Sequence, residues 1–323
     1  MARKVLSRCS SANDQRVAVS TELVESFLRS KTAKNCSAST IASYRTDMRL
    51  FASHVHAIDL DLAQVQRRHV EEWLAGGLQA GLAAATVARR FRTLIQFYAW
   101  AHEEEEVPEN PMARVARPKV PVQPPPIIPA DHIDKLLAAC ATPRSGPGRP
   151  KPTDGRATFE NKRDAVLIQL LATTGCRSSE LMMLEVADID MANGTFTVMG
   201  KGRRARVVAL MPKVADALDR YLRQRRRHQH ANLPALWLGV RGPLTNSGLR
   251  QLLERRCHDA GIDPINPHRF RHTFAHVAKS RGMQDGDLMA IAGWQSPQML
   301  HRYGASAAAE RARESHLRIF GND

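Results

Sequence analysis

The sequence predicts a mainly α (α+β) protein with a helical N-terminal domain and a second, mixed helical domain that contains a small β-sheet. Three observations support this. Apolar residues recur at steps of three and four early in the chain, a proline-rich stretch interrupts them, and two short β-like runs follow downstream. The 323 residues are enough for two domains that each bury a core.

The helical pattern of the N-terminal part is clearest between Ser39 and Val55 and again between Ala83 and Glu105. In the first stretch one face of the helix carries Ile41, Tyr44, Met48, Phe51 and Val55. Ser39 or Thr40 is expected to cap this helix. With shorter helical segments at 21–29 and 69–78, the pattern predicts a four-helix domain over 20–107, preceded by an extension over 1–19.

The segment 108–130 is expected to be an extended linker. Prolines occupy positions 108, 111, 118, 121, 124, 125, 126 and 129. Because proline fixes φ and lacks a backbone donor, neither a helix nor a sheet can run through such a segment. The second domain is therefore expected to cover 131–323.

The chain is strongly basic, with 47 Lys and Arg against 32 Asp and Glu, a net charge of +15. The second domain alone has 30 basic and 19 acidic residues, a net of +11. This excess favours a polyanionic partner, with nucleic acid first, because Lys and Arg neutralise phosphates and release counterions. Ribosomal, membrane-surface and merely soluble proteins share such a balance, so charge alone does not decide.

The five cysteines are scattered and lack any C-x-x-C spacing, which argues against a zinc site or a disulfide framework. No apolar run approaches the ~20 residues that span a bilayer, and the N-terminus lacks a signal core. We expect no membrane association and a cytoplasmic location.

The second domain is predicted to contain helices at 162–174 and 178–186 and further helices after Thr245. The β-like runs Thr195–Met199 and Val207–Leu210 flank the turn Gly200–Arg206 and predict a hairpin. The stretch Pro143–Asp154, rich in Pro, Gly and basic residues, is interpreted as a loop.

Two candidate site residues lie in glycine-containing turns. Arg177 follows Gly175 at a predicted helix start, where a planar guanidinium and a helix N-terminus can both face phosphate oxygens. Lys201 lies between Gly200 and Gly202 in the hairpin turn, from which it could protonate a leaving oxygen. In isolation each would be an ordinary surface residue.

Further candidates lie near the C-terminus. His268 and Arg271 are spaced i, i+3, so they share one helix face and can reach one phosphate. Tyr303 follows the turn at Gly293 and Trp294, from which it can project into a site. A single tyrosine there would more often be a packing residue.

In this order and spacing, Arg177, Lys201, His268, Arg271, Trp294 and Tyr303 resemble the catalytic signature of the tyrosine recombinases, also called the phage integrase family. The N-terminal unit is similar to that family's SAM-like core-binding domain, and the second domain to a catalytic domain of the tyrosine recombinase/topoisomerase IB type. Trp294 stands where many members have a second His. Trp also occurs there in the family, and its indole N–H can donate to a phosphate.

The resemblance implies a site-specific recombinase, free as a monomer or weak dimer, that assembles as a homo-tetramer on two sites in double-stranded DNA. Tyr303 would attack a phosphate to form a 3′-phosphotyrosyl link. Arg177, Arg271, His268 and Trp294 would stabilise the charge, with Lys201 as general acid and His268 as base. No metal or other cofactor and no membrane partner are expected, and the sequence leaves open whether accessory proteins take part.

Other residues are assigned supporting roles. Glu180 is expected either to orient Arg177 or to be a plain surface carboxylate. DNA contacts are expected from Arg203, Arg204 and Arg206 in the hairpin and from the cluster Arg223, Arg225, Arg226 and Arg227, for which a solvated helix end is the alternative. The tail 306–320 is expected either to dock on a neighbouring subunit or to fold back in cis.

Two other functions remain open from the sequence. A type IB topoisomerase shares the nucleophile chemistry but relaxes supercoils as a monomer. A catalytically silent DNA-binding regulator derived from a recombinase is the second. We expect a bacterial or phage-encoded enzyme, whose DNA target and biological role the residues leave open.

Overall fold

The chain divides into two structural units, Met1–Val122 and Gln123–Asp323, each with its own apolar core. The computed structural model describes residues 19–121, 126–141, 158–200, 204–294, 300, 312–313, 316–317 and 319–321. The division falls inside the proline-rich segment. Residues near both ends of that segment are packed into a core, Met112 into the first and Ile128 into the second.

Four helices build the described part of the first unit. They are α1, described over 19–33, α2 (Ala38–Ala57), α3 (Arg67–Gln79) and α4 (Ala84–Glu103). Met48, Phe51 and Val55 of α2 are fully buried, as the periodicity predicts. The cap differs from the prediction: Ser37, not Ser39 or Thr40, accepts a hydrogen bond from the Thr40 amide at 3.2 Å. The helix starts earlier because Ser37 is the residue with extended backbone angles.

The second unit is mostly helical in its described ranges. Its helices are α5 (Ala130–Ala141), α6 (Phe159–Thr174), α7 (Ser178–Met182), α8 (Pro212–Arg225), α9 (Asn246–Asp259), α10 (Pro267–Ser280) and α11 (Asp285–Ala292), with a 3-10 turn at Val186–Asp188. Helix α6 lies in the middle of the core and packs against α5, α8 and α10. The predicted loop Pro143–Asp154 lies outside the described residues.

Two small antiparallel sheets complete this unit. Strands β1 (Ile189–Asp190), β2 (Thr195–Met199) and β3 (Ala205–Ala209) form one, and β4 (Leu238–Gly239) and β5 (Gly242–Pro243) form the other. The predicted hairpin is confirmed, with Phe196 opposite Val208 and Val198 opposite Arg206. Strand β3 begins two residues earlier than predicted, at Ala205 rather than Val207. None of the helices in the described ranges is long and apolar enough to cross a membrane.

The turn between α6 and α7 depends on Gly175. This residue ends α6 with φ 61° and ψ 13°, a left-handed conformation that glycine adopts without steric cost. The Phe274 ring of α10 covers it so closely that a Cβ placed on Gly175 would lie 2.3 Å from Phe274 Cδ1. The turn therefore needs glycine both for its backbone angles and for the contact with α10.

Gly175→Ala is expected to destabilise the protein more than Gly194→Ala, although the two glycines have almost the same φ, 61° and 62°. Each alanine should cost about 1–2 kcal/mol for the left-handed backbone. Only Gly175→Ala also meets an aromatic ring, because nothing lies within 4 Å of the Gly194 position, so overpacking should add roughly 1–3 kcal/mol. Urea unfolding of both variants measures the difference; equal losses would contradict the tight contact with Phe274.

Candidate active site

Arg177 lies at the start of α7, directly after the Gly175 turn. Its backbone is extended (φ −69°, ψ 145°), and its side chain is 36 % exposed. The guanidinium Nη1 donates to Glu180 Oε1 at 2.7 Å, and Nη2 donates to the Gly293 carbonyl at 3.4 Å. Arg177 is thus held in place from one side, while part of its surface faces solvent.

Glu180 is the carboxylate of this cluster, and only 5 % of its side chain is exposed. Besides Arg177 Nη1, its oxygens accept from the Arg177 amide at 2.8 Å and from Arg206 Nη2 at 2.7 Å. Burial by itself raises the pKa of Glu180, but the hydrogen bonds from Arg206 and Arg177 outweigh it, and the pKa is lowered. The group is therefore ionised at neutral pH, in agreement with an orienting role rather than that of a plain surface carboxylate.

Arg206 differs from its predicted role as a DNA contact. Its side chain is only 13 % exposed and points to the covered face of the sheet. Nε donates to the Ile291 carbonyl at 2.8 Å, while Nη2 donates to Glu180 and to Cys176 Sγ at 3.6 Å. The reason lies in the strand alternation, which puts Arg206 on the same side as buried Val208.

Helix α10 supplies two more of the predicted residues. Arg271 is buried, and its guanidinium donates to the Gly175 carbonyl and, at 2.7 Å, to the Ala292 carbonyl. His268 lies one turn earlier and is partly exposed, with its ring centroid 4.2 Å from that of His272. Partial burial of the ring lowers the pKa of His268, and the positive charges of Arg271 and Arg177 lower it further. His268 is therefore mainly neutral at pH 7.

Trp294 packs against the same cluster. It follows Gly293, the left-handed residue (φ 64°) that ends α11. Its ring centroid lies 5.0 Å from Arg271 Cζ, within the range of a cation–π contact. Trp294 and Leu300 are buried in a small apolar group with residues of α10 and α11.

The C-terminal end of α11 joins these side chains. Three consecutive carbonyls there, those of Ile291, Ala292 and Gly293, accept hydrogen bonds from Arg206, Arg271 and Arg177 respectively. The last carbonyls of a helix have no partner within the helix and carry its partial negative charge. The structure therefore brings Arg177, Glu180, His268, Arg271 and Trp294 into one neighbourhood.

Three predicted residues, Lys201, Arg203 and Tyr303, lie outside the described residues. The ends of the hairpin turn are described: the Gly200 amide donates to the Arg204 carbonyl at 2.8 Å. Leu300, three residues before Tyr303, is buried in the apolar group beside Trp294.

The other basic residues separate into two groups. Arg204, Arg223 and Arg226 are exposed, and Arg223 pairs with Asp219 at 2.8 Å. Arg225 is buried, and its guanidinium donates to backbone carbonyls, including Leu233 at 2.5 Å and Ala235 at 2.6 Å. The expectation that Arg225 contacts DNA is therefore wrong, because its donors hold the loop after α8.

The structure adds an open cleft of about 680 Å³ beside His268 that the sequence did not indicate. Its lining includes Ser179, Asn246, Ser247 and Arg250, which come from the starts of α7 and α9. For this part of the site the sequence indicated only that helices follow Thr245, the residue that caps α9. Among the described residues, no group of three or more His, Cys, Asp or Glu could hold a metal ion.

Two family models and several known proteins match this chain in sequence. The model for the phage integrase family matches residues 127–310, and the model for the phage integrase N-terminal SAM-like domain matches residues 24–105. The tyrosine recombinase XerC of Roseiflexus sp. (strain RS-1) is 32 % identical over 275 residues, which cover 83 % of each chain. That of Pelotomaculum thermopropionicum is 31 % identical over 307 residues, covering 89 % of this chain and 95 % of the relative.

Solved structures support the predicted fold class. XerH recombinase bound to a palindromic difH substrate after cleavage superposes with a TM-score of 0.68 at 18 % identity, covering 94 % of this chain and 85 % of that one. A lambda integrase tetramer bound to a Holliday junction gives a TM-score of 0.65 at 16 % identity, covering 88 % and 76 %. The mainly helical fold with a SAM-like N-terminal domain and small sheets is thereby confirmed.

Glu180→Gln is expected to lower the free energy of unfolding at neutral pH by about 1–3 kcal/mol, since the part-buried donors of Arg177 and Arg206 lose a charged acceptor. The pKa of Glu180 is lowered in the folded state, so its stabilisation is full above the unfolded pKa of about 4.3 and disappears as the pH falls through the folded pKa. The difference in the free energy of unfolding between wild type and variant should therefore become smaller at acid pH.

Denaturant unfolding at several pH values measures this gap. Glu254→Gln removes an exposed carboxylate in the same unit and serves as control, with an expected change within about 0.5 kcal/mol. A gap for Glu180→Gln that stays constant down to low pH would contradict the ionised, hydrogen-bonded carboxylate.

Proposed function

Because the chain belongs to the phage integrase family of tyrosine recombinases, we propose that it cleaves and rejoins DNA at specific sites through a 3′-phosphotyrosyl link to Tyr303. The observation that carries the proposal is the convergence of Arg177, Arg271 and Trp294 at the C-terminal end of α11, with His268 close enough to Arg271 and Arg177 for their charges to lower its pKa. Such a cluster of cationic and N–H donors suits a single phosphodiester. The net charge of +15 fits double-stranded DNA as the partner.

In the proposed cleavage step, Tyr303 Oη attacks the phosphorus in line with the bond to the 5′ oxygen. A bond forms between Oη and phosphorus, the bond from phosphorus to O5′ breaks, and a free 5′-hydroxyl leaves. His268 takes the tyrosine proton, and Lys201 gives a proton to O5′. Rejoining is the reverse reaction with another 5′-hydroxyl, so the bond energy stays in the link and no ATP is used.

Arg177 and Arg271 are proposed to stabilise the charge that develops on the two non-bridging oxygens. Each guanidinium is held by carbonyl or carboxylate acceptors before substrate arrives, so little reorganisation is needed in the transition state. Two positive charges at one phosphate supply the neutralisation that divalent ions give in other phosphoryl-transfer enzymes. Trp294 contributes its indole N–H.

His268 suits the role of base because its pKa is lowered, mainly by partial burial and then by Arg271 and Arg177. A base must be unprotonated to accept a proton, and a neutral His at pH 7 meets that condition. The tyrosine hydroxyl, with an ordinary pKa of about 10, needs such help at neutral pH.

We further propose a tetramer acting on two DNA sites. The tail carries three apolar side chains, Leu317, Ile319 and Phe320, that are each more than half exposed. Burial against a neighbouring subunit would remove that surface from water. One structural neighbour, a lambda integrase, was solved as a tetramer bound to a Holliday junction. The exposed Arg204, Arg223 and Arg226 are proposed to contact the DNA backbone. We also propose that the enzyme acts on DNA in the cytoplasm.

Tyr303→Phe is expected to bind DNA with the affinity of the wild type and to form no covalent adduct. The change removes only the hydroxyl that attacks phosphorus. The measurement is denaturing electrophoresis of a nicked suicide substrate, on which the wild-type adduct accumulates because the 5′ fragment diffuses away. A variant adduct that survives denaturation would assign the nucleophile to another residue.

Lys201→Ala is expected to slow cleavage of an ordinary phosphodiester by about 10²–10⁴, the usual worth of general acid catalysis. A substrate with sulfur at the 5′-bridging position has a leaving group that needs little protonation, so this variant should recover most of its rate. Arg177→Ala is the control and should not recover, because arginine acts on the non-bridging oxygens. Equal defects of Lys201→Ala on both substrates would make Lys201 a DNA contact instead.

A further inference from the structure

Arg206 is the residue of the cluster that the proposed mechanism does not use. It lies on β3, opposite Val198 and on the same side of the strand as Val208, both of which are buried. A guanidinium on the covered face of a sheet loses hydration and is stable there only when its N–H groups find acceptors. Its acceptors are therefore informative about its role.

Two of those acceptors lie on separate elements. Nη2 donates to Glu180 Oε2 on α7, and Nε donates to the Ile291 carbonyl at the end of α11. Glu180 uses its other oxygen, Oε1, for Arg177. Arg206 thus shares a carboxylate with a residue proposed to contact phosphate, and it anchors the helix end that leads into Trp294.

The Gly293 backbone packs closely against the Arg206 guanidinium. A Cβ at Gly293 would lie 2.9 Å from Arg206 Nη1 and 3.1 Å from Cζ, and the residue has φ 64°. The Gly293 carbonyl accepts from Arg177. Any larger residue would have to push the Arg206 guanidinium away from Glu180 or from α11.

We propose that Arg206 is a positioning residue for DNA cleavage, which acts through Glu180 and the end of α11 to hold Arg177 and Trp294 at one phosphate. The inference rests on the proposed function, since it needs a phosphate at this cluster. Because the planar guanidinium is needed to reach two acceptors in different directions, lysine cannot replace it. Hydrogen bonds in this cluster hold Arg206 on the protein side, so the residue serves DNA indirectly.

The central experiment compares Arg206→Met, Arg206→Lys and Arg220→Met on the nicked suicide substrate under single-turnover conditions at saturating protein. Arg220 is an exposed arginine on α8, and its loss removes the same charge. We expect Arg206→Met to cleave about 10²-fold more slowly and Arg206→Lys at least about 10-fold more slowly. Arg220→Met should stay within about twofold of the wild type.

DNA affinity and its salt dependence separate positioning from direct contact. Positioning predicts that Arg206→Met keeps the dissociation constant within about threefold and leaves the salt slope unchanged. If Arg206→Met instead reduced the log–log salt slope of DNA binding by about 0.9 and cleaved at the wild-type rate at saturation, Arg206 would be a phosphate contact and the proposal would be overturned.

The substrate with a 5′-bridging sulfur identifies which group Arg206 serves. If it acts on Arg177 and Trp294, the defect of Arg206→Met should persist on sulfur. Recovery of the rate would instead assign Arg206 to the leaving-group side at Lys201 and overturn the proposal. If wild-type protein formed no adduct on either substrate, the proposed function itself would fail, and that result is distinct from any Arg206 outcome.

Two further comparisons keep the test valid if Arg206→Met folds poorly. In a double-mutant cycle, the effects of Arg206→Lys and Glu180→Gln on the cleavage rate should be non-additive, because each change removes the same ion pair between residues 206 and 180. Additive effects on the rate would contradict action through Glu180. Gly293→Ala should slow cleavage without changing DNA affinity, since it displaces the guanidinium but leaves it in the chain. Gly261→Ala, with φ 65° and nothing within 4 Å, controls for backbone strain. A wild-type rate in Gly293→Ala would overturn the proposal.

Discussion

The site depends on the hydrogen bonds between three guanidinium groups and the last carbonyls of α11. Arg177 comes from the start of α7, Arg206 from β3 and Arg271 from α10, and these elements are far apart in the chain. A helix C-terminus offers unpaired carbonyls with partial negative charge, which is the environment that a cation prefers. One short helix therefore aligns the residues of three other elements.

Glu180 offsets the repulsion among these positive charges. Three guanidinium groups close together repel one another, and burying them costs hydration energy unless each donor is satisfied. Glu180 supplies one negative charge shared by Arg177 and Arg206, and backbone carbonyls satisfy other donors without adding charge. The cluster keeps a net positive charge, which suits the phosphate that the proposed function requires there.

Elsewhere in the second unit arginine has a purely structural use. Arg256 is fully buried and donates to Asp164 at 2.9 Å and to Asn161 at 3.0 Å, while Arg163 pairs with the same aspartate from α6. Arg225 holds the loop after α8 through carbonyls. Residue type alone therefore does not separate a DNA contact from a core arginine, and the acceptors that surround each guanidinium decide which it is.

The sequence by itself predicted most of the elements and, among the site residues that the structure describes, Arg177, Glu180, His268, Arg271 and Trp294. Apolar periodicity is local, so the faces of α2 and the β2–β3 hairpin were predictable, as were the shared face of His268 and Arg271 and the glycine before Arg177. Only the tertiary structure decided that Arg206 and Arg225 are covered. It also decided two long-range hydrogen bonds, from Arg206 to Glu180 across 26 positions and from Arg177 to Gly293 across 116. The physical reason is that a flexible arginine finds its acceptors only after separate elements have packed, and no local pattern encodes which carbonyls will lie within its reach.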